Sequence, residues 1–297
     1  MTLDGLLFSA PGRLRAPWRL ALFALAVAGA AVIVTGLVYP LLQSAASLLG
    51  ERLLIQGWLN VLALMLATAA TLRWADGGLP WRTVWLGRDA ARPRPIVAGL
   101  LLGALAIAVP TGLLLAVGWL RPQPMEDGSS VAVGARLLVY LAPLALSEEL
   151  LTRGYVLAVL REALGVRWAV GLTSVAFGLL HLQNPGASVQ SIVLTTLAGV
   201  FLGAIVVGLG SLYAGWAAHL AWNWTMAGAF HVPVSGLPFA TPDYRLVDAG
   251  PDWATGGAWG PEAGAGAAVG MLVAMTILLA PWRRRGLEGR APARRGS

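Results

Sequence analysis

The sequence predicts an all-α, polytopic membrane protein of about eight transmembrane helices with a conical polar cavity inside the bundle. Three observations carry the class and the number of spans. Of 297 residues, 57% are hydrophobic and 12% charged, with a mean hydropathy of +0.71; a soluble domain carries about 25% charged residues. A chain so poor in charge cannot cover a water-facing surface, so lipid must be its main solvent. Eight apolar segments approach the ~20 residues that cross a ~30 Å hydrocarbon core at 1.5 Å per residue. The arginine excess alternates from loop to loop, as the positive-inside rule requires of an even number of spans.

The segments are 20–42, 52–73, 96–120, 136–160, 168–184, 190–208, 212–230 and 266–282. The first is too long for the 7–15-residue core of a signal peptide and has no clear small-residue cleavage site before Tyr39-Pro40, so it reads as a retained helix. The turn Asp76-Gly77-Gly78-Leu79-Pro80 closes the second, and Arg92-Pro93-Arg94-Pro95 opens the third. The fifth and eighth are short. No similarity between halves suggests a transporter's inverted repeat, so residues 1–297 read as a single integral membrane domain.

With the N-terminus placed in the cytoplasm, that side holds Arg13, Arg15, Arg19, Arg73, Arg82, Arg88, Arg92, Arg94, Arg161, Arg167 and the C-terminal cluster from Arg283 to Arg295. The other side holds Glu51, Arg52, Arg121, Glu126, Asp127 and Arg136. Its largest loop, 231–265, carries Asp243, Asp248, Asp252 and Glu262 against Arg245. Both termini are therefore expected in the cytoplasm, and the loop, long for a structureless connection, hints at a role. The net charge of +7 comes from arginine alone and sits at the flanks of spans. With no aromatic-basic surface beside it, nucleic acid is not an expected partner. The absence of cysteine removes disulfides, thiolate metal sites and a cysteine nucleophile together.

Three apolar segments carry groups that lipid normally excludes: Ser147-Glu148-Glu149-Leu150-Leu151-Thr152-Arg153-Gly154, Phe177-Gly178-Leu179-Leu180-His181 and His219-Leu220-Ala221-Trp222-Asn223. An ionisable group near the bilayer centre costs about 2.5–3.5 kcal/mol on insertion scales and persists when paired, hydrated or useful. Residues four apart share a helix face, so Glu149 stacks on Arg153, Phe177 on His181 and His219 on Asn223. Glu148, about 100° around from Glu149, can address a different neighbour. Each pair alone has a structural reading: a clasp for Glu149 with Arg153, helix–helix hydrogen bonding for a lone histidine or Asn223. His231, with no partner in the sequence, reads as an interfacial residue.

Together the three stretches supply a base, two imidazoles and an amide donor, the inventory of amide hydrolysis. Glu148, desolvated between helices, suits a general base. With His181 it can hold and deprotonate a water aimed at a carbonyl carbon. His219 and the Asn223 amide can donate to the developing oxyanion. Ser147 lies outside any Gly-x-Ser-x-Gly elbow. The same groups could serve a metal: Glu148, His181 and His219 make a three-ligand set for a divalent ion such as zinc. His-Glu-x-x-His is absent, and metal dependence stays open.

Glu-Glu-x-x-x-Arg, Phe-x-x-x-His and His-x-x-x-Asn, in this order, resemble the CPBP group of intramembrane proteases, which includes the Ras-converting CAAX prenyl endopeptidases and the Abi, or bacteriocin-processing, proteins. The matching residues are Glu148, Glu149 and Arg153, then Phe177 and His181, then His219 and Asn223. The words around them match too: Arg153-Gly154, His181-Leu182-Gln183-Asn184-Pro185 and Leu212-Tyr213. The resemblance covers a catalytic core of about 136–230. It implies an intramembrane endopeptidase acting on a membrane-associated peptide or protein, with Glu148 as base, His181 as its partner, His219 and Asn223 at the oxyanion, and Glu149 with Arg153 in support. Family members are often labelled metalloproteases. The Arg-only, Ala- and Gly-rich composition suggests a bacterial, high-GC source and hence the inner membrane, where prenylated substrates are not expected. Two other functions compete: a proton-coupled transporter using the same groups as a relay, and a catalytically silent binding or immunity protein.

Overall fold

The computed structural model describes residues 6–10, 13–49, 52–125, 130–239 and 243–288. The charges at Glu51, Glu126, Asp127, Arg290, Arg294 and Arg295 lie outside the described residues. A small hairpin, β1 (Phe8–Ala10) with β2 (Arg13–Leu14), precedes α1 (Ala16–Leu49). Then come α2 (Arg52–Ala70), prolonged by a π-helical turn Thr71–Ala75, and α3 (Pro93–Ala116). Helix α4 (Ser130–Glu149) runs through a π turn, Leu150–Gly154, into α5 (Tyr155–Leu164). Helices α6 (Val166–Leu180), α7 (Val189–Leu209) and α8 (Leu212–Trp224) follow, α8 ending in a third π turn, Thr225–Phe230. The last is α9 (Ala265–Glu288).

Each predicted span falls on helix, and the protein is an all-α polytopic membrane protein. Lengths differ from the prediction. Among the described residues, five helices are long and apolar enough to cross a membrane: Ala16–Leu42, Ile55–Ala75, Pro93–Ala116, Val131–Leu164 and Val189–Leu209. Val166–Leu180 and Ala265–Ala280 are apolar but shorter, and α8 has 13 residues. The fifth segment stops early because the chain turns at His181, whose backbone N–H bonds to the Gly178 carbonyl and leaves helical geometry. The fourth is lengthened by the π turn, which carries α4 into α5 without a break.

Specific contacts define the two ends of the bundle. At one end Arg19, near the start of α1, pairs with Asp76 beyond α2 (2.6 Å) and with Glu162 of α5 (3.0 Å). Ser211, the N-cap of α8, donates to the Ala90 carbonyl at 2.6 Å in the connection before α3. At the other end β3 (Leu120–Pro124), after α3, pairs antiparallel with β4 (Tyr244–Asp248) in the 231–265 loop. That loop is thus structured: besides β4 it holds a helical turn at Asp252–Thr255 and 3-10 turns at Gly257–Trp259 and Pro261–Ala263.

Small residues set a close contact between α3 and α8. Gly99 and Gly103 of α3 face Ala214 and Ala218 of α8, and a Cβ at either glycine would overlap the carbonyl oxygen opposite. Small residues four apart let helix backbones approach in lipid, where packing rather than the hydrophobic effect drives association. Gly215 lets α8 lie against α7 and the end of α4 as well: a Cβ there would overlap Val206 and touch Glu149 Oε2. Helix α8 is thereby seated deep in the bundle.

Candidate active site

Glu149 precedes the π turn that follows α4 and Arg153 lies within it, and their side chains are fully buried. Arg153 Nη1 donates to Glu149 Oε1 at 2.9 Å and to Thr152 Oγ1 at 2.9 Å; Nη2 donates to the Gly199 carbonyl at 3.2 Å. The guanidinium lies 4.2 Å from the centre of the Phe177 ring, a desolvated cation–π contact. Single π turns inside helices are frequent at functional sites. This chain has them directly after Glu149 and directly after Trp224, next to Asn223.

The Glu149 carboxylate also orients His219, whose Nδ1 lies 3.0 Å from Oε1. Because a carboxylate only accepts, Nδ1 carries the proton, and Nε2 is turned toward Glu148. His181 is fixed in the same sense: its Nδ1 lies 2.8 Å from the Phe177 carbonyl oxygen, so Nδ1 donates and Nε2 faces inward. Glu148 Oε2 stands 3.9 Å from His181 Nε2 and 3.7 Å from His219 Nε2. Phe177 backs both imidazoles, with ring centroids 4.8 and 5.8 Å away.

These groups line one cavity of about 100 Å³, with Glu148, His181, Asn184, His219, Asn223, Ser235 and Glu262 on its polar side. Leu141, Leu194, Phe201 and Leu237 are among its apolar lining. By segment ends alone, Glu148 lies near mid-membrane and His219 nearer the end of its helix. The structure brings them level because the start of α8 is set against the 81–91 connection, where Leu212 N–H bonds to the Trp85 carbonyl. Ser147 donates its hydroxyl to the Leu144 carbonyl at 2.8 Å, an ordinary intrahelical bond.

Sequence reasoning did not place Asn184, Ser235 or Glu262 at the site. Asn184 sits in the chain word that follows His181, and Glu262 was legible only as one acid among several in a loop. His231 is a correction: it is buried, not interfacial. Its ring stacks on Tyr244 at 4.4 Å between centroids, and Nδ1 lies 2.7 Å from the Tyr244 carbonyl oxygen. The partner comes from β4, thirteen positions along the chain, beyond the reach of local pattern.

The predicted metal ligands Glu148, His181 and His219 are neighbours, but among the described residues no group of three His, Asp or Glu side chains is arranged to hold a metal ion.

The fold and site define a polytopic membrane protein with a carboxylate facing two imidazoles inside its helical bundle. Residues 130–225 match the family model described as type II CAAX prenyl endopeptidase Rce1-like, so the chain carries an Rce1-like domain that contains Glu148, Glu149, Arg153, His181, His219 and Asn223. No curated protein and no solved structure matches the chain.

Proposed function

We propose that the protein is an intramembrane endopeptidase that hydrolyses a peptide bond of a membrane-associated peptide or protein by glutamate-activated water. The observation that carries this reading is the Glu148 carboxylate facing Nε2 of both His181 and His219 in the cavity that Asn223 also lines. A water held between Glu148 and His181 Nε2 gives its proton to Glu148 as its oxygen attacks the carbonyl carbon. The Asn223 amide donates to the oxyanion, and His219, carrying a proton on each ring nitrogen at that step, joins it through Nε2. On collapse the C–N bond breaks, and the amine takes the proton from Glu148. Glu149 and Arg153 hold His219 and Phe177 in place.

No step is routed through a metal. The arginine-rich end of the bundle supports cytoplasmic termini in a bacterial inner membrane, and an Abi-type substrate, such as a membrane-anchored or bacteriocin-like peptide, suits that setting. The test is cleavage of a panel of quenched fluorescent CAAX-type and membrane peptides by detergent-purified protein. Cleavage lost in Glu148→Ala supports the reading. Wild type and Glu148→Ala behaving alike across the panel counts against it.

A further inference from the structure

One wall of the cavity comes from outside the Rce1-like domain. Val234, Ser235, Leu237, Phe239 and Glu262 all line it. Val234 and Leu237 exchange backbone hydrogen bonds (3.0 and 2.8 Å) across a two-residue turn, Ser235-Gly236. Both turn residues have positive φ, 49° and 76°, as tight hairpin turns require. A Cβ at Gly236 would overlap the Pro185 carbonyl oxygen, so the turn is pressed onto the chain just beyond His181. Val234 is buried on the inner side, while Leu237 is 45% exposed. The turn thus lines the cavity at the loop end of the bundle with one residue buried and one exposed.

Hydrogen bonds hold this turn. Glu262 Oε1 accepts from both the backbone N–H and the hydroxyl of Ser235, and Oε2 accepts from Trp222 Nε1 at 3.0 Å. A single carboxylate thus ties the turn to α8, one residue from Asn223. Asn184 Nδ2 donates to the Ser235 carbonyl at 3.0 Å, and Gly236 N–H to the Trp259 carbonyl at 3.0 Å. Sites that accept small ligands measure about 300–1,000 Å³, and the cavity of about 100 Å³ is smaller than any of them. A peptide can enter only if a wall moves. Helix α8, which brings His219, Trp222 and Asn223 to the lining, is locked against α3 by backbone packing at Gly99 and Gly103. The 234–237 turn has one close backbone contact, Gly236 on Pro185, and is otherwise tied to its neighbours by polar bonds that water can replace.

We propose that the Val234–Leu237 turn is the access gate of the cavity and that Glu262 is its latch. The proposal rests on the protease reading for its consequence, which is that opening admits the peptide. Its test needs no turnover. Because the chain has no cysteine, Thr195→Cys places one thiol on the cavity lining, and N-ethylmaleimide labelling of the detergent-purified protein reports access. Adding Glu262→Gln turns an amide N–H toward either Trp222 or Ser235. The labelling rate should rise about tenfold, as expected for a lost hydrogen bond to a charged group. Asn184→Ala cuts the other side-chain tether without removing a charge and should raise the rate in the same direction, so the test stands if Glu262→Gln does not fold. A Trp253→Cys control on the exposed surface should label at an unchanged rate. Labelling of Thr195→Cys at the parent rate in either folded variant would overturn the gate. Peptide cleavage tests the chemistry separately, so either idea can fail alone.

Discussion

Glu149 and His219 meet through one oxygen: Oε1 of Glu149 accepts from His219 Nδ1 at 3.0 Å and from Arg153 Nη1 at 2.9 Å. The first contact spans 70 positions and the second four. A local ion pair therefore fixes the ring of a distant histidine.

Removing that carboxylate strands a buried guanidinium. Glu149→Ala should cost about 3–5 kcal/mol of stability, the range for breaking one half of a buried pair. Thermal unfolding in detergent measures it. The double variant Glu149→Ala with Arg153→Met should recover much of the loss, because no uncompensated charge remains. A double variant no more stable than Glu149→Ala would show that the charge pairing is not what matters.

Glu148 behaves differently because it is open to the cavity, with 39% of its side chain exposed. Glu148→Gln keeps the shape and removes the base. Its unfolding transition should stay within about 0.5 kcal/mol of the parent. Peptide cleavage should fall by 10²-fold or more, the usual contribution of a positioned acid–base group. Cleavage within tenfold of the parent would rule Glu148 out as the base.

The contrast between these two adjacent glutamates was partly legible in the sequence. Helical spacing alone pairs Glu149 with Arg153 and turns Glu148 elsewhere. Hydropathy locates every helix that frames the site. Spacing cannot show that His181 sits just past a helix end, or that π turns follow Glu149 and Trp224, because these depend on which carbonyls find partners across the bundle. Ser235 and Glu262 were illegible for a related reason. Their meeting requires a loop to fold back over α8, and polar residues in a loop rich in glycine and proline carry no periodicity to read. His231 was misread because its partner, Tyr244, approaches through a strand that forms only by pairing with Leu120–Pro124.

Glycine contacts give a structural prediction. Gly103→Val forces α8 away from α3, because its Cβ would overlap the Ala218 carbonyl. It should destabilise the fold by about 1–3 kcal/mol or more, as overpacking does, and should lower cleavage through displaced His219 and Asn223. Gly112→Ala on the same helix has nothing within 4 Å of its new Cβ. It should leave stability equal or higher by up to about 1 kcal/mol. Equal effects at both positions would remove the role assigned to the α3–α8 contact.

Chelation separates the two ways of using the imidazoles. Cleavage by protein dialysed against a strong chelator should match that of untreated protein, since the proposed steps need only Glu148, His181, His219 and Asn223. Activity lost on chelation and restored by zinc would assign Nε2 of both histidines to a metal instead.

Helix α8 is about 20 Å long at 1.5 Å per residue, and only with the π turn Thr225–Phe230 does it approach the ~30 Å hydrocarbon layer. Its depth is set by Gly99, Gly103 and the Ser211 cap rather than by matching its own apolar length to the lipid. Spans that must match the bilayer tilt or shift when its thickness changes. A short helix bolted to its neighbours does not. The geometry around His219 should therefore stay constant across membranes of different lipid composition, and the reacting groups keep their spacing while the surrounding spans absorb the mismatch.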